Sequence, residues 1–177
     1  SYMILAVILC ISLLPLGLTK SIQPELPESG GLDPFYALRV SPLAVIGVLI
    51  VGATGSVIRM IGPLFAYEAN LEPSEIGLFL SLFIIGGAII QLPVGYLSER
   101  FSPRQLLGLL SGLTIMVSLT VNMVDSDQIF GVRTLFILVF IFGLTTMPLY
   151  SICAIHANNL IPAQQMTSLS ASLIFIF

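Results

Sequence analysis

Charged side chains are scarce in this 177-residue chain: Asp, Glu, Lys and Arg make up 8% of it, against 56% hydrophobic residues. Soluble domains carry about 25% charged residues, and a soluble fold of this length could not hide so much apolar surface. The mean hydropathy is +1.07, and several apolar runs approach the ~20 residues that cross a bilayer as a helix. The sequence therefore predicts an integral membrane protein.

Motifs of enzymes and metal sites are also missing from the sequence. HExxH and GxSxG do not occur, and GATGS at 52–56 lacks the lysine of a phosphate-binding loop. Cys10 and Cys153 both lie inside apolar runs, which favours two small buried apolar residues over a disulfide or a metal pair. The net charge is only −3, and without a basic cluster nucleic acid is not expected as a partner. We expect no enzymatic activity, no cofactor and no metal.

What the sequence does contain is a series of long apolar runs separated by Pro, Gly and charged residues. Backbone groups in hydrocarbon must hydrogen-bond internally, so runs of this length predict helices rather than barrel strands. The first run lacks the basic start and the cleavage site of a signal peptide, and Lys20 follows it as at a cytoplasmic span end. The last run is too short to cross a bilayer, so we expect a fragment truncated at both ends. The predicted spans are residues 2–19, 42–66, 75–97, 103–123 and 132–155, with a partial span at 164–177.

Serine residues mark where several of these helices should begin. Ser41 and Ser102 each place a capping hydroxyl before a proline at the first helical position. Ser102 also fits a capping box with Gln105, and Ser74 is the candidate cap of the third span. Small residues inside the spans predict close helix contacts, although a role in lining a site stays open for them. They are Gly52, Gly55, Ser56, Gly86 and Gly87, and the GxxxG pair Gly108 and Gly112.

The distribution of basic residues predicts the orientation of the spans, because Lys and Arg are enriched in cytoplasmic loops. The loops after the first and third spans are basic, whereas the opposite loops hold Arg133 among several acidic residues. We therefore place loops 20–41 and 98–102 in the cytoplasm. The basic residues concerned are Lys20, Arg39, Arg100 and Arg104, and the acidic ones are Glu68, Glu72, Glu75, Asp125 and Asp127.

Residues 95–104, GYLSERFSPR, concentrate charge between two apolar runs. This decapeptide resembles the cytoplasmic signature of the major facilitator superfamily, Gly-x-x-x-Asp-Arg-x-Gly-Arg-Arg/Lys. Three positions depart from that pattern: Glu99 stands for aspartate, Ser102 for glycine and Pro103 for a basic residue, as is commoner in the second-half copy of the signature. An ordinary positive-inside turn remains the alternative. The matching positions are Gly95, Glu99, Arg100 and Arg104.

The flanking segments resemble the same superfamily. PSEIGLFLSLFIIGGAIIQLPVGYLSER is similar to the helix that leads into the second-half signature of a bacterial branch. GLTTMPLYSICAIHANNLIP is similar to the tenth helix of that branch, and LPLGLTKSIQPE to the end of the sixth. The resemblance implies an all-α integral membrane bundle that runs from the sixth helix into the eleventh. Residues 1–19 would be the last helix of the N-terminal half, 20–41 the cytoplasmic central loop and 42–177 the C-terminal half-bundle.

The resemblance also implies a function: a secondary transporter, in a bacterial inner membrane, whose two six-helix halves rock around a central substrate site. The signature turn would latch one access state, with Glu99 as acceptor and Arg100 and Arg104 as donors to acids or helix C-termini. The partners would be a small-molecule substrate and the lipid bilayer. Symport or antiport, and coupling to protons, stay open.

Arg59 is a charged residue well inside a predicted span, where a charge is costly unless it is paired or hydrated. It lies about 10 Å from the outer end of its span. It is therefore either an anchor that snorkels or pairs with Glu68 or Glu72, or a cavity residue that favours an anionic group. His156, the sole histidine, either relays protons or hydrogen-bonds at the helix end.

Uncharged polar residues supply the other candidates for a substrate pathway. Gln91 either binds a substrate or bonds to a neighbouring helix. Pro148 frees a backbone carbonyl in the fifth span and permits bending, which suits a gate, and Tyr150 beside it is our preferred pathway residue. The candidates are Arg59, Gln91, Thr145, Thr146, Tyr150 and His156.

Two functions compete on these residues. A transporter predicts polar side chains, among them Tyr150 or Arg59, that converge on a cavity. A non-transporting facilitator-like scaffold or assembly factor, as a subunit of a larger membrane complex, predicts a cavity filled by bulky apolar side chains. An intramembrane enzyme would need clustered catalytic residues within the spans, and none is visible in the sequence.

Overall fold

The computed structural model of the chain describes residues 33–121, 123 and 129–177, together with residues 3, 4, 7, 10–12 and 14. The described residues before 15 are helical, whereas the rest of the first predicted span and most of loop 20–41 lie outside the described residues. Lys20, Asp125 and Asp127 also lie outside them. The described part of the chain contains helices and no strand, which confirms the all-α class.

From residue 33 onward the described chain forms helices that we number α1 to α7. Four of these segments are long and apolar enough to cross a membrane: α2, α4, α5 and residues Gly131–Asn158 of α6. A short 3-10 turn, Ala163–Gln165, precedes α7. The helices are α1 Pro34–Val40, α2 Pro42–Met60, α3 Gly62–Glu68, α4 Pro73–Arg100, α5 Pro103–Val121, α6 Ile129–Asn158 and α7 Met166–Ile176.

Two of the predicted helix starts are capped as expected. The Oγ of Ser41 accepts a hydrogen bond from the backbone N–H of Ala44 at 3.3 Å. Ser102 and Gln105 form a reciprocal capping box, in which each backbone N–H donates to the other side chain at 3.4 Å. These bonds satisfy amides that the first helical turn leaves without partners.

The predicted cap at Ser74 is wrong, because α4 begins one residue earlier, at Pro73. The residue before this proline, Glu72, donates its backbone N–H to the Glu75 carboxylate at 2.9 Å. A proline at the first helical position has its φ already set and needs no partner for an amide. The Glu-Pro pair therefore fixes the start, and Ser74 lies within the first turn.

The second predicted span, residues 42–66, is interrupted rather than continuous. Helix α2 ends at Met60 and α3 begins at Gly62. Pro63 cannot donate to the carbonyl of Arg59 and its ring crowds that carbonyl, which explains the break. Helix α3 then ends at Glu68 with Ala69 as its C-cap, and the next residue, Asn70, has a positive φ of 59°, the left-handed conformation that is common just after a helix C-terminus.

Helix α1 lies within the predicted loop 20–41. Its first turn is capped by Asp33, whose carboxylate accepts a hydrogen bond from the backbone N–H of Tyr36 at 2.9 Å. The backbone N–H of Asp33 donates to Ser172 Oγ of α7 at 3.1 Å, and the Tyr36 hydroxyl donates to Gln165. The end of this loop is therefore packed against α7 as a short helix.

Helix α6 lies at the centre of the described bundle and packs against α2, α4, α5 and α7. Its closest approach is to α4, where a Cβ on Gly86 would collide with the carbonyl oxygen of Phe140, and a Cβ on Gly143 with that of Phe83. The two helices touch backbone to backbone, which glycine permits and a larger residue does not. The sequence predicts packing at Gly86 but not at Gly143.

The other glycines that were predicted to pack divide into two groups. Gly52 meets the backbone of Phe177, and Gly87 meets the side chain of Met147. The rest, including both glycines of the GxxxG pair, have no described atom within 4 Å of where a Cβ would stand; they are Gly55, Gly108 and Gly112.

The two cysteines are free thiols, as expected, but only Cys153 is buried. It packs against α2, where a Cβ on Gly47 would collide with its sulfur. Cys10 is exposed, so its prediction as a buried residue is wrong: hydropathy alone does not separate a lipid-facing position from a packed one.

The bundle has two ends that we name after one residue each. The Arg104 end holds the α4–α5 turn, the last turn of α6 and the start of α7, where Asn158 Nδ2 donates to Ser170 Oγ at 3.4 Å. The Glu72 end holds the α3–α4 junction, the end of α5 and the start of α6, packed around Phe79 and Leu135.

Candidate functional site

The signature turn joins α4 to α5 through only two residues, Phe101 and Ser102. Arg100 ends α4 and folds back one helical turn onto Tyr96: its guanidinium lies 4.8 Å from the ring centroid and donates a hydrogen bond to the hydroxyl. Such cation–π contacts fix the direction of a long side chain. Arg100 is thus held along α4 rather than across the turn.

Glu99 and Gly95 occupy exposed positions on the same helix. Glu99 forms no hydrogen bond or ion pair with any residue in the described ranges, and nothing lies within 4 Å of a Cβ placed on Gly95. The four signature residues lie at one end of the bundle without contacting one another through an ion pair. The carboxylate of Glu99 is therefore available to groups outside the described residues.

Arg104 and His156 come together at the same end. Arg104 lies in the first turn of α5, His156 in the last turn of α6, and the two interact electrostatically. His156 is only 7% exposed, so it is not a solvated helix-end residue. The nearby Asn158 Oδ1 is buried without a hydrogen-bond partner among the described residues.

Two candidates, Thr145 and Thr146, lie on one stretch of α6 just before its internal proline. Thr145 and Thr146 are buried; Thr145 Oγ1 donates to the carbonyl of Phe142 at 3.1 Å, whereas Thr146 Oγ1 has no partner within the described residues. Pro148 lies inside the helix and cannot donate to the carbonyl four residues earlier. One unpaired hydroxyl and one freed carbonyl thus occur within a single turn of α6.

Tyr150 follows this turn and is half-buried. Its ring packs on Phe177 at a centroid distance of 4.9 Å and an interplanar angle of 58°. It also joins the apolar clusters on both sides of α6. The described contacts of Tyr150 are thus largely apolar.

Arg59 is exposed near the Glu72 end of α2 and forms no ion pair with Glu68 or Glu72, both of which are described. It continues the buried stripe of Val48, Gly52 and Gly55 at spacings of four, three and four residues, which keep one helical face. This is the face on which Gly52 meets Phe177, the residue that follows α7. Arg59 thus lies on the same side of α2 as this buried stripe, and not on the opposite side of the helix.

Gln91 belongs to an exposed stripe along α4 that we call the small-residue face. It is built from glycine, alanine, serine and glutamine around one isoleucine, at spacings that keep one side of the helix. No described residue lies within 4 Å of a Cβ placed on either of its glycines. Its members are Gly77, Ser81, Ile84, Ala88, Gln91 and Gly95, all exposed.

The exposed face of α2 differs sharply from the small-residue face. It carries large apolar side chains, which include Leu43, Ile46, Ile50 and Val57, each 49% exposed or more. Bulky apolar side chains are what a helix presents to lipid, whereas small and polar residues favour helix contacts or a hydrated cavity. The exposed sides of α2 and α4 are therefore suited to different surroundings.

A cavity of about 300 Å³ lies near the Glu72 end, between the α2–α3 break, α5 and α6. None of the six predicted pathway residues lines it. Sequence reasoning missed Ser118, the only polar side chain among the described residues that line the cavity, because a serine at lipid depth gives no signal about which void it borders. The lining residues are Val57, Ile58, Ile61, Gly62, Phe65, Phe79, Ser118, Val121, Leu135, Val139 and Phe142.

Potential metal ligands do not converge within the described residues, where no group of three His, Cys, Asp or Glu side chains occurs.

Comparisons with known proteins were made on the full sequence. Residues 1–177 match the family model described as Major Facilitator Superfamily. An uncharacterized MFS-type transporter, YcaD, from Escherichia coli O17:K52:H18 is 23% identical over 167 residues, which cover 93% of this chain and 42% of the relative. The chain thus spans about two fifths of the length of that relative. No solved structure matches the chain.

Proposed function

The chain belongs to the major facilitator superfamily, and from that membership we propose that it forms part of a secondary transporter that moves a small solute by alternating access. The observation that carries the proposal is the small-residue face of α4. A bundle surrounded only by lipid gains nothing from exposing serine, glutamine and glycine at membrane depth. A second half-bundle that rocks against this face, with a hydrated pathway between them, accounts for the stripe.

The proposal assigns the Arg104 end to the cytoplasm of a bacterial inner membrane. Arg39, Arg100 and Arg104 lie at or near that end, and the acidic residues Glu72 and Glu75 lie at the other, as the positive-inside rule requires. Residues 1–19 and 42–177 are then the last helix of the first half and most of the second half-bundle.

Within this scheme the signature residues act as a latch. Glu99 has no described partner, so its carboxylate is free to accept hydrogen bonds from the other half or from the central loop. Arg104 and His156 lie at the same end of the bundle and interact electrostatically, so closing the latch at this end would bring further charge toward the imidazole.

The pathway residues in this scheme are Arg59, Gln91, Thr146 and Tyr150. Thr146 brings a buried hydroxyl that has no partner within the described part of the chain, next to the freed carbonyl in α6, and Gln91 brings an amide on the small-residue face. An exposed guanidinium at Arg59 favours an anionic solute or an anionic group on it. His156, which is shielded from solvent, is the titratable candidate for coupling to protons.

Uptake by proteoliposomes that contain the complete protein tests the function. Solute classes are screened with and without a pH gradient, against protein-free liposomes. We expect saturable uptake of at least one class, and a pH gradient that speeds it in one direction identifies symport or antiport. No uptake, exchange or binding of any solute would contradict transport.

A scaffold role is the second candidate, and the apolar cavity favours it because no predicted pathway residue lines that space. This role predicts that the complete protein co-purifies in mild detergent with a membrane partner at fixed stoichiometry. Solute uptake without such a partner would exclude it.

A further inference from the structure

Two hydrogen bonds tie α1 to α7, between residues that are 139 and 129 positions apart in the sequence. The backbone N–H of Asp33 donates to Ser172 Oγ at 3.1 Å, and the Tyr36 hydroxyl donates to Gln165 Oε1. Ser172 Oγ also donates to the carbonyl of Ser168 at 2.9 Å, so its hydroxyl is both donor and acceptor. We call Asp33, Tyr36, Gln165 and Ser172 the α1–α7 clasp.

The start of α1 depends on α7 in a way that the starts of α4 and α5 do not. The backbone N–H of a capping residue has no partner within the helix backbone. In α4 and α5 the side chains of Glu75 and Gln105 accept from that amide, as in a capping box. The equivalent position of α1 is Tyr36, so the Asp33 amide bonds to Ser172 instead. The cap of α1 is therefore complete only when α7 is in place.

Helix α7 packs against three described helices, and α1 is one of them, with α2 and α6. Leu169 and Leu173 are 0% exposed and share one buried cluster with Ala37 of α1, Val45 of α2 and Cys153 of α6. Helices in lipid gain no hydrophobic driving force when they pack on one another, so close contacts and hydrogen bonds decide where α7 lies. The clasp supplies two of these hydrogen bonds.

The far end of α7 reaches the pathway candidate Tyr150. No proline interrupts the chain between Gln165 and Phe177, and a helix of this length spans about 18 Å. Phe177 follows α7 directly: its ring centroid lies 4.9 Å from that of Tyr150, and its carbonyl oxygen would collide with a Cβ on Gly52. A shift of α7 at the clasp is therefore carried to the contact between Phe177 and Tyr150.

We propose that the clasp holds α7 against α2 and α6 and thereby sets how closely Phe177 covers Tyr150. Tyr36 and Ser172 are then positioning residues, which act through α7 and do not touch the solute. The importance of the Tyr150 contact rests on the pathway role that the proposed function gives to this residue. The clasp itself forms entirely between described residues, so it needs no contact from the rest of the protein.

The thiol of Cys153 reports the position of α7. It is 1% exposed and packs in the same cluster as Leu169 and Leu173, so it becomes accessible when α7 moves away. The complete protein in liposomes is treated with N-ethylmaleimide, which crosses the bilayer. The modification of Cys153 is followed over time by peptide mass spectrometry, and this measurement needs no solute.

Tyr36→Phe removes one hydrogen bond of the clasp and keeps the packed ring. Because that bond is exposed to solvent, we expect Cys153 to react only about threefold faster. Ser172→Ala should raise the rate about tenfold, since it leaves the Asp33 amide without its partner at a partly buried position. The parent rate in Tyr36→Phe would overturn the clasp, and this variant decides the question even if Ser172→Ala fails to fold.

Gln165→Leu removes the other end of the same bond and completes a double-mutant cycle with Tyr36→Phe. Each single variant should raise the Cys153 rate about threefold, and the double variant should raise it no further. A double variant that reacts about ninefold faster would show that the two residues act independently, which contradicts the clasp. The matched control is Tyr67→Phe, at a 70% exposed tyrosine near the Glu72 end, and it should keep the parent rate.

Solute uptake separates positioning of the pathway from simple support of the fold. In Tyr36→Phe we expect the apparent KM for a transported solute to change at least about twofold, with the parent unfolding temperature. A lower unfolding temperature with the parent KM would overturn the effect on Tyr150 and leave a structural brace. Absence of any uptake by the parent protein would contradict the proposed function, whereas the reactivity of Cys153 would still test the clasp.

Discussion

The two sides of α4 are both rich in small residues, but for opposite reasons. On the buried side, Gly86 and Gly87 press against α6, where a Cβ would collide with the backbone of Phe140 or the side chain of Met147. On the small-residue face, Gly77 and Gly95 have no described atom within 4 Å of a Cβ. The buried side needs glycine because α6 packs closely against it. The small-residue face has space beside its glycines, and helix packing within the described bundle does not require that space.

The difference shows that small residues in a membrane helix can serve two roles, close helix packing or open space beside the helix. At Gly86 and Gly143 the short side chains let two backbones approach, which supplies the van der Waals contact that drives helix association in lipid. Along the small-residue face the same residue types leave space, and space beside serine and glutamine suits a moving partner or a solute. Substitutions on the two sides should therefore fail in different ways.

Gly143→Ala should have the largest effect on stability, since its Cβ would collide with the backbone of α4 at Phe83. Backbone atoms cannot relieve the clash by a change of rotamer, as a side chain can. We therefore expect the free energy of unfolding to fall by about 1–3 kcal/mol or more. The measurement is thermal unfolding of the complete protein in detergent, together with the yield of monodisperse protein.

Gly77→Ala is the matched control for this change, because it makes the same substitution on the small-residue face. It should unfold at the parent temperature or slightly above it. Equal damage in both variants would remove the distinction between the two sides of α4.

Much of the fold is predictable from the sequence, because long apolar runs indicate the membrane helices and capping residues indicate where they begin. Ser41 and Ser102 cap their helices as expected, each followed by a proline that starts the helix. The break of the second span was missed because the predicted span carried an apolar run straight through Pro63. The sequence does not predict helix α1, because Asp33 and Pro34 belong to a Pro- and Gly-rich stretch that favours a loop.

The candidate site was harder to predict, for a physical reason. In a soluble helix, hydropathy separates the buried face from the exposed face, but in lipid both faces are apolar and the periodicity fades. Gly143 gives no sequence signal that a facing carbonyl will touch it, and Cys10 and Cys153 look alike although only one is buried. The packing partners decide these cases, and they come from distant parts of the chain.

Arg59→Ala should act on transport rather than on folding, and its effect should be the largest among the transport variants. The stripe of Val48, Gly52 and Gly55 is buried, but Arg59 at its end is exposed and has no described partner. Removing a charge that binds a solute costs about 2–5 kcal/mol, so uptake should fall at least ~30-fold while expression is preserved. If Arg59→Ala takes up solute at the rate of the parent protein, Arg59 is a structural anchor and does not bind the solute. Arg59→Lys, which keeps the charge, is the matched comparison.

Gln91→Leu probes the small-residue face directly. The loss of one hydrogen bond to a solute or to the other half is about 1–3 kcal/mol, so we expect uptake to fall roughly tenfold with no change in unfolding temperature. Ile89→Leu, a change at a 55% exposed position on the other flank of α4, should leave uptake unaltered. If Gln91→Leu lowered the unfolding temperature and spared uptake, the amide would be a packing group.

Glu99→Gln should have a smaller effect, on the balance of access states rather than on the solute that is carried. Removing the carboxylate charge weakens a latch by about 1 kcal/mol, a roughly fivefold change in that balance. The readout is alkylation of a cysteine placed at Ala88, on the small-residue face, by an impermeant maleimide added from each side in turn. Glu99→Asp keeps the charge and should preserve the ratio of the two alkylation rates. If Glu99→Gln also left this ratio unchanged, the signature turn would be an ordinary charged turn and not a latch.

Gly112→Ala and Gly108→Ala on α5 should have the smallest effect, although their GxxxG spacing looks most like a packing motif. No described atom approaches either glycine within 4 Å of a Cβ, so alanine meets no obstacle and improves helix propensity by up to about 1 kcal/mol. We expect an unfolding temperature equal to or above that of the parent, in the same assay as Gly143→Ala. A loss of stability as large as that of Gly143→Ala would mean that another backbone crosses α5 there. The GxxxG pair would then consist of packing glycines, like those on the buried side of α4.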